Sequence, residues 1–325
     1  MPRISVIIPA FNAIKDLKRC LDSVIAAMQE YGDAELVIVD NGSTDGSYEM
    51  LLQHYGGIAR IFQLPDATVG ALRNHGAQVA QGEYLSFIDS DMLVPPSYLT
   101  DALLLFSQYD IAALVCRLSV PESPHWIEDT WRRLHRRPRD GYVHLYGGSF
   151  IIRTEVFRSA GGFNESLVTD EDRELGERLE SQGYRIYEAS AFSAIHLGEP
   201  RTLRAFFRRH LWHGLGMLGD FQRLAITKPT LMTFLHLILS IAGLLILFFP
   251  MLSPSIRLLT FASLACIVPA ATVAYRQARG GEVSRPLRAF LLYYLYYFAR
   301  ACALLALPVL RFRGGVRPHD FSPRR

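Results

Sequence analysis

The chain has 325 residues, of which 50% are hydrophobic, and its mean hydropathy of +0.14 is high for a soluble protein. The net charge of +3 hides an asymmetry: residues 1–200 carry 17 basic and 28 acidic side chains, whereas residues 201–325 carry 17 and 3. Because the basic part is also apolar, it favours anionic membrane lipid over nucleic acid as a partner. The four cysteines lack metal-ligand spacing, which argues against a zinc site or a disulfide framework.

The first residues lead directly into a strand-like segment. Residues 4–8 are Ile-Ser-Val-Ile-Ile, and no long apolar stretch or small-residue cleavage site typical of a secretory signal precedes them. We therefore expect the globular part to lie in the cytosol, at the cell (inner) membrane.

Short apolar strands then alternate with helical segments. Strands are predicted at 4–8, 36–39, near Ile61 and at 84–88, with helices at about 17–28 and 69–80 between them. Repeated β-α-β units with continuously apolar strands indicate an α/β fold with a mostly parallel sheet covered on both faces. Residues 117–146 break this pattern and are predicted to form a loop or a loose helix. A strand at 149–153 and a helix at about 172–182 follow.

The last third of the chain has the pattern of a membrane-bound segment. Residues 202–218 place apolar side chains on one helical face and arginines on the other, as in an interfacial helix, although a soluble amphipathic helix has the same pattern. Apolar stretches at about 231–252 and 257–275 predict a transmembrane hairpin. A third stretch, 289–310, contains Arg300 and is either a third span or a re-entrant or interfacial segment. The positive-inside tendency slightly favours two crossings.

These patterns predict three regions. Residues 1–200 form the α/β domain, residues 201–228 an amphipathic helix and linker, and residues 229–325 a membrane domain.

Polar residues follow three of the predicted strands at their carboxyl ends. Asn12 follows the first, Asp40 the second, and the triplet Asp89-Ser90-Asp91 the fourth. Loops at this edge of an open α/β sheet bind ligands in a shared crevice. The triplet alone also fits a turn, but its carboxylates suit Mg²⁺ or Mn²⁺ with water and phosphate completing the coordination. Asp40 is suited to accept a hydrogen bond from a nucleobase, with Phe11 packing against the ring.

Six segments occur in an order that resembles the family 2 glycosyltransferases. They are residues 5–12, 39–45, 70–77, 82–91, 161–165 and 171–175. The resemblance covers about the first 200 residues and implies a GT-A fold, a Rossmann-like nucleotide-diphospho-sugar transferase domain. It also implies an inverting transfer from a nucleotide-diphosphate sugar, and a UDP-sugar is favoured because UDP is the commonest donor nucleotide in this family.

The resemblance also implies roles for individual residues. The donor-binding residues would be Pro9, Phe11, Asn12, Asp40, Arg73, Asp89 and Ser90. Asp91 and His196 would hold Mn²⁺ or Mg²⁺, which neutralises a departing diphosphate. Arg73 and His196 each have a purely structural alternative, the first as a helix-surface ion-pair residue.

Glu171 and Asp172 open a predicted helix and are the expected catalytic residues, and family position makes Asp172 the general base. The partial positive charge of a helix N-terminus is expected to keep this base deprotonated, although helix capping explains the same residues. A base suits a hydroxyl acceptor, on a lipid-linked sugar or a glycolipid, whereas a polyprenyl phosphate needs none and is the alternative. The processive-synthase motif Gln-x-x-Arg-Trp is missing at 207–214, which favours addition of one sugar over polymerisation. A non-catalytic membrane scaffold is the least favoured alternative.

Overall fold

A computed structural model describes residues 3–135, 140–214, 227–279, 283 and 285–312, with side chains as far as Ala306. The described residues form two compact units. The first holds residues 3–123 and 140–199, and the second holds residues 124–135 and those from 200 to 312.

The first unit is built from nine strands and six helices. The strands are β1 (Ile4–Ala10), β2 (Ala34–Asp40), β3 (Ala59–Gln63), β4 (Tyr84–Phe87), β5 (Met92–Leu93), β6 (Ala113–Ser119), β7 (Gly141–Tyr142), β8 (Phe150–Arg153) and β9 (Ile186–His196). The helices are α1 (Ile14–Tyr31), α2 (Ser47–Tyr55), α3 (Val69–Val79), α4 (Tyr98–Gln108), α6 (Thr154–Ser159) and α7 (Glu171–Ser181), whereas α5 (Trp126–His135) belongs to the second unit.

The strands form one mixed sheet in the order β3-β2-β1-β4-β8-β6-β9-β5, and β7 also pairs with β9. Strands β3, β2, β1 and β4 are parallel, while β8 runs antiparallel to both of its neighbours, β4 and β6. Alternate residues of the parallel strands enter different apolar clusters: Val6 packs on the side of α1 and α4, and Ile7 on the side of α3, α6 and α7. The α/β class with a mostly parallel sheet is confirmed.

Strand register brings the functional loops to one edge. Ala10, the last residue of β1, pairs with Asp40, the last residue of β2, and Ile7 pairs with Phe87 at the end of β4. The chain therefore leaves all three strands at the same carboxyl edge, which places Asn12, Asp40 and Asp89 at that edge.

The segment 117–146 is more regular than the sequence suggested. β6 continues to Ser119, and Trp126–His135 form an amphipathic helix rather than a loop. Acidic residues in the first turn of α5 and arginines in its last turn complement the helix dipole, and Ile127 and Leu134 are buried on one face. These features outweigh the nearby prolines, which lie before the helix. Arg136, Arg137 and Arg139 lie outside the described residues.

The second unit also contains four C-terminal helices. They are α8 (Leu203–Gly214), α9 (Lys228–Leu247), α10 (Pro254–Ala278) and α11 (Pro286–Phe312). Three segments are long and apolar enough to cross a membrane: Lys228–Leu247, Pro254–Ala278 and Pro286–Ala306. The third apolar stretch is thus one continuous helix that meets the criterion for a third span. In α8 part of the apolar face is covered, because Phe206 is fully buried against neighbours in this unit; residues 215–218 of the predicted helix lie outside the described range.

Candidate functional site

The loops after β1 and β2 are fastened to each other. Asn12 has a left-handed backbone with φ +45°; its N–H donates to Ser43 Oγ at 2.9 Å, and its Oδ1 accepts from Thr44 N–H at 2.9 Å. Asp40 is fully buried, and its carboxylate accepts from Ser43 N–H at 2.9 Å, Ser43 Oγ at 2.5 Å and Gln63 Nε2 at 3.2 Å. Because a carboxylate has about four acceptor positions, Asp40 keeps capacity for a further donor.

Three other predicted donor-side residues line this edge with different exposures. Pro9 is buried within β1, where it pairs with Val39, and Ser90 is buried as well. Phe11 is half-buried in the loop beyond β1. Sequence reasoning missed Asn41, whose side chain bonds both the N–H and the C=O of Ala67 at 2.9 Å and so holds the loop before α3.

Arg73 connects two carboxylates in the interior of the site. One guanidinium nitrogen donates to Glu171 Oε1 at 2.5 Å and the other to Asp89 Oδ1 at 2.7 Å. The Arg73 side chain is only 3% exposed, so it is a buried ion-pair residue and not a helix-surface one. Burial opposes its charge, but Asp89 and Glu171 outweigh that effect and raise its pKa. The ring of Phe163 packs 5.5 Å from its guanidinium carbon.

The turn before β8 packs closely against the Arg73–Asp89 ion pair. The sequence did not predict this contact. A Cβ placed on Gly148 would overlap the Arg73 guanidinium and the Asp89 carboxylate, so any larger residue there would force these two side chains to move. Ser149 Oγ accepts a hydrogen bond from Asp89 N–H at 3.2 Å. In the sequence, the dipeptide Gly147-Gly148 ahead of a strand indicates a turn. Only the antiparallel pairing of β8 with β4 shows which residues this turn contacts.

Strand pairing brings the triplet Asp89-Ser90-Asp91 close to His196. Met92 pairs with His196 in the antiparallel β5–β9 ladder, which places His196 Nε2 3.4 Å from Asp91 Oδ1. The other ring nitrogen of His196 lies 3.1 Å from Glu199 Oε1. All three side chains are buried. Burial lowers the pKa of His196, but Asp91 and Glu199 outweigh it and raise the value to about 9.

Two residues of this group were missed by sequence reasoning. Glu199 lies three residues beyond the predicted metal ligand His196 and orients its imidazole. Gly198 approaches Asp91 so closely that a Cβ would overlap the carboxylate.

Asp91 and His196 would supply one oxygen and one nitrogen donor toward a metal, and His196 would release a proton on binding, because histidine ligates a metal in its neutral form. In the part of the chain that the structure describes, no three His, Cys, Asp or Glu side chains are grouped to hold an ion. Mg²⁺ and Mn²⁺ sites that also bind phosphate need only one or two protein ligands, since substrate and water complete the coordination. A carboxylate on the second nitrogen of a histidine, as at Glu199, is typical of metal-site histidines. The donor set therefore fits a metal shared with a substrate.

Helix α7 presents its first turn to the site. Asp170 precedes the helix with a left-handed backbone of φ +65°. Glu171 is buried and held by Arg73, whereas Asp172 is partly exposed and accepts a hydrogen bond from Arg173 N–H at 2.8 Å. Burial, followed by the charges of Glu171 and Asp170, raises the pKa of Asp172 to about 7. Burial and the two neighbouring carboxylates therefore oppose the expected effect of the helix N-terminus, which favours the ionised form.

Two protein-family models match overlapping parts of the chain, which together cover residues 5–278. The model of "Glycosyl transferase family 2" matches residues 5–161. The model of "Glycosyl transferase family group 2" matches residues 84–278, which is more than half of the chain.

Individual relatives share part of the sequence. An O-antigen biosynthesis protein of Myxococcus xanthus is 29% identical over 227 residues, covering 60% of this chain and 17% of the relative. An uncharacterized glycosyltransferase of Escherichia coli is 33% identical over 116 residues, covering 35% of this chain and 33% of the relative. The chain thus spans a third or less of the length of these relatives.

Two solved structures share the fold. A mannosyltransferase from Pyrobaculum calidifontis, solved with GDP-Man and Mn²⁺, has a TM-score of 0.59 at 16% identity, covering 94% of this chain and 86% of its own. TarS of S. aureus, solved with UDP-GlcNAc, has a TM-score of 0.50 at 15% identity, covering 94% and 92%. At these identities the likeness establishes the GT-A fold alone. Together with the family matches and the motif-bearing loops, it identifies the chain as a member of the family 2 glycosyltransferases.

Proposed function

We propose that the protein transfers one sugar from a nucleotide-diphosphate sugar, with inversion, to a hydroxyl of a lipid-linked or glycolipid acceptor at a membrane. The observation that carries this proposal is the unequal state of the two adjacent carboxylates on α7. Glu171 is buried and fixed by Arg73, while Asp172 is partly exposed; burial raises the pKa of both groups, that of Asp172 to about 7. A base whose pKa lies near the working pH is suited to remove a proton during attack.

In this reaction Asp172 takes the proton of the acceptor hydroxyl as its oxygen attacks the anomeric carbon. The bond from that carbon to the diphosphate oxygen breaks, and the nucleoside diphosphate leaves from the opposite face. Arg73 keeps Glu171 and Asp89 in place, so that the base and the donor-side carboxylate retain one geometry. Inversion follows from a single displacement.

Asp91 and His196 would hold Mn²⁺ or Mg²⁺, with Glu199 orienting the imidazole. When bound, such an ion neutralises negative charge on the leaving diphosphate. The Mn²⁺ in the related mannosyltransferase structure supports this assignment.

The donor is proposed to be a UDP-sugar, with Asp40 and the loop around Asn12 facing the nucleoside. The two related structures contain GDP-Man and UDP-GlcNAc, so nucleotide sugars as a class are supported more strongly than UDP. Relatives named for O-antigen biosynthesis and for glucosylation of poly(ribitol-phosphate) support a cell-envelope glycan as the pathway.

The membrane part of the proposal rests on the three apolar helices. They would anchor the protein in the inner membrane, with residues 1–200 on the cytosolic side, residues 201–228 at the interface and the remainder in the bilayer. An enzyme anchored in this way meets amphiphilic acceptors at the membrane surface.

Polyprenyl phosphate is the second candidate acceptor, because it would also be held at the bilayer. It is already an anionic nucleophile and does not need Asp172. The raised pKa of Asp172 therefore favours the hydroxyl acceptor.

A donor screen followed by transfer assays tests the proposal. We expect one nucleotide sugar, with Mn²⁺, to raise the melting temperature of the purified full chain, since ligands stabilise the state they bind. Asp172→Asn should retain this shift and lose about 10²- to 10⁴-fold in transfer rate. Asp170→Asn, which removes a carboxylate two residues away, is the matched control and should keep most of the rate. Near-full activity of Asp172→Asn would exclude the hydroxyl route, and binding of no donor at all would support a scaffold.

A further inference from the structure

Arg300 carries an isolated charge in an apolar helix of the second unit. It is the one charged residue between Ala289 and Leu310, and it lies within the candidate span Pro286–Ala306. Its guanidinium carbon lies 4.8 Å from the centroid of the Tyr296 ring. Among the described residues no carboxylate pairs with Arg300, and its buried Nε has no hydrogen-bond partner. Within the described residues the guanidinium thus faces an aromatic ring and no carboxylate.

His210 on α8 approaches the same tyrosine. The ring centroids of His210 and Tyr296 are 4.9 Å apart, and those of His210 and Trp131 are 5.0 Å apart. His210 is only 6% exposed, and within the described residues neither of its ring nitrogens has a hydrogen-bond partner. We name Trp131, His210, Tyr296 and Arg300 the basic–aromatic cluster.

The surroundings of His210 are positively charged. Burial lowers its pKa, and the lowering is reinforced by His213, Arg300, Arg209 and His135, which lie on α5, α8 and α11. The carboxylates of α5 face other cations: Asp129 pairs with Arg133 at 2.7 Å, and Glu128 lies 3.9 Å from Arg201. A neutral His210 offers one N–H donor, and Arg300 offers a fork of donors. Unpaired donors beside several cations call for a hydrogen-bond acceptor with negative charge.

The position of the cluster favours a lipid over a soluble anion. Arg300 lies within the candidate span Pro286–Ala306, and a long arginine side chain can extend along a helix toward the membrane interface. Phe207 of the amphipathic helix α8 packs against Phe298, with ring centroids 5.9 Å apart. Phe298 and Leu305 are 45% and 61% exposed, so the neighbouring surface is apolar.

We propose that the basic–aromatic cluster binds the phosphate group of a membrane lipid. Arg300 and His210 donate hydrogen bonds to the phosphate oxygens, and Trp131 and Tyr296 pack against the adjoining part of the lipid. The site belongs to the second unit and goes beyond the proposed sugar transfer, because a lipid can occupy it without a sugar donor. A phospholipid headgroup and a phosphorylated lipid carrier share the required chemistry.

Equilibrium binding to the full chain in a neutral detergent tests this site without any sugar donor. The probes are dioctanoyl phosphatidic acid, dioctanoylglycerol, which has the chains without the phosphate, and inorganic phosphate, which has no chain. We expect the phosphatidic acid to bind at least about tenfold more tightly than either fragment, because charge-assisted hydrogen bonds add to apolar burial. A short-chain prenyl phosphate distinguishes the source: tighter binding than phosphatidic acid indicates a carrier, and equal binding a phospholipid.

Variants locate the binding. Arg300→Gln should weaken phosphatidic acid binding about tenfold, because it removes a positive charge. His210→Gln should weaken this binding less, because it removes one hydrogen-bond donor and no charge. The matched control is Arg288→Gln on the same helix, since its guanidinium carbon also lies over an aromatic ring, 5.3 Å from the centroid of Trp126. Arg300→Lys keeps the positive charge but loses the planar guanidinium, so it should retain part of the affinity for phosphatidic acid. This variant tests the role of Arg300 if Arg300→Gln does not fold.

Three results would overturn the proposal. Wild-type affinity in Arg300→Gln would remove Arg300 from the site. An equal loss of phosphatidic acid affinity in Arg288→Gln would mean that the binding arises from general charge attraction and not from this site. Inorganic phosphate binding as tightly as phosphatidic acid would make the ligand a soluble anion.

Discussion

The guanidinium of Arg73 lies 2.5 Å from Glu171 Oε1 and thereby joins helix α3 to the first turn of helix α7. Its other terminal nitrogen holds Asp89, which follows β4. One buried side chain therefore connects the carboxylate expected on the donor side with the turn that carries the proposed base. The site can keep its geometry only while this residue binds both partners.

Arg73→Lys should lower kcat/KM about 10- to 100-fold, because an ammonium group cannot span two carboxylates as the planar fork does. Arg73→Met should also lower the free energy of unfolding by about 3–5 kcal/mol, since it leaves Glu171 buried without its counter-charge. Steady-state kinetics and urea unfolding measure the two effects. Arg185→Lys, at an exposed pair with Asp110, is the control and should change stability by less than about 0.5 kcal/mol.

The pH dependence of transfer should follow Asp172. Its pKa is raised to about 7, and only the ionised form can accept a proton, so kcat should rise with pH and level off above about 8. The sign for stability is opposite: folding favours the protonated form, so this group lowers stability as pH rises from its unfolded pKa of about 4 to about 7.

Asp172→Asn should therefore melt higher than the wild type at pH 8 and show a smaller difference at pH 4. Melting curves at both pH values check this. A wild-type kcat that does not change between pH 6 and pH 8 would contradict the assignment of Asp172 as the base.

Metal removal should weaken donor binding. We expect EDTA to reduce both the melting-temperature shift by donor and the transfer rate, and Mn²⁺ or Mg²⁺ to restore them. Asp91→Asn should weaken Mn²⁺ binding, and Glu199→Gln should weaken it about 10- to 100-fold, because it removes the group that orients His196. Titration calorimetry with Mn²⁺ measures both, and Glu165→Gln, a carboxylate that bonds Asn74, serves as a control.

Gly148→Ala should disturb the Arg73–Asp89 pair without unfolding the protein. The added methyl group would overlap the ends of both side chains, which must separate to admit it. The expected result is a raised donor KM of about tenfold or more with a modest loss of stability. Gly57→Ala is the control, since a Cβ there meets no atom within 4 Å and should change neither quantity. An unchanged KM in Gly148→Ala would mean that the turn before β8 does not constrain the donor side.

Local sequence signals accounted for the sheet core, because continuous apolar strands and loop residues at strand ends depend on neighbours in the chain. Asn12, Asp40 and Asp89 could be assigned to one edge for that reason. Gly148 and Glu199 could not be placed in the same way, since their contacts come from long-range pairing: β8 beside β4, and β9 beside β5.

The electrostatic surroundings of Asp172 also depend on long-range packing. A helix N-terminus is visible in the sequence, but burial and the position of Glu171 are properties of the folded chain. Local patterns and the family resemblance predicted the candidate residues, whereas tertiary packing determines which charges lie beside each of them.

The reversed direction of β8 determines how the chain supplies residues to the site. The parallel strands contribute the residues that follow them, whereas β8 contributes the residues that precede it, including Gly148 and Ser149. Gly148 and Ser149 themselves pair with none of β1, β2 and β4, so a change at these two positions leaves the register of the parallel strands unaltered. The surroundings of Asp89 on that side can in this way be redesigned separately from the loops that follow β1 and β2.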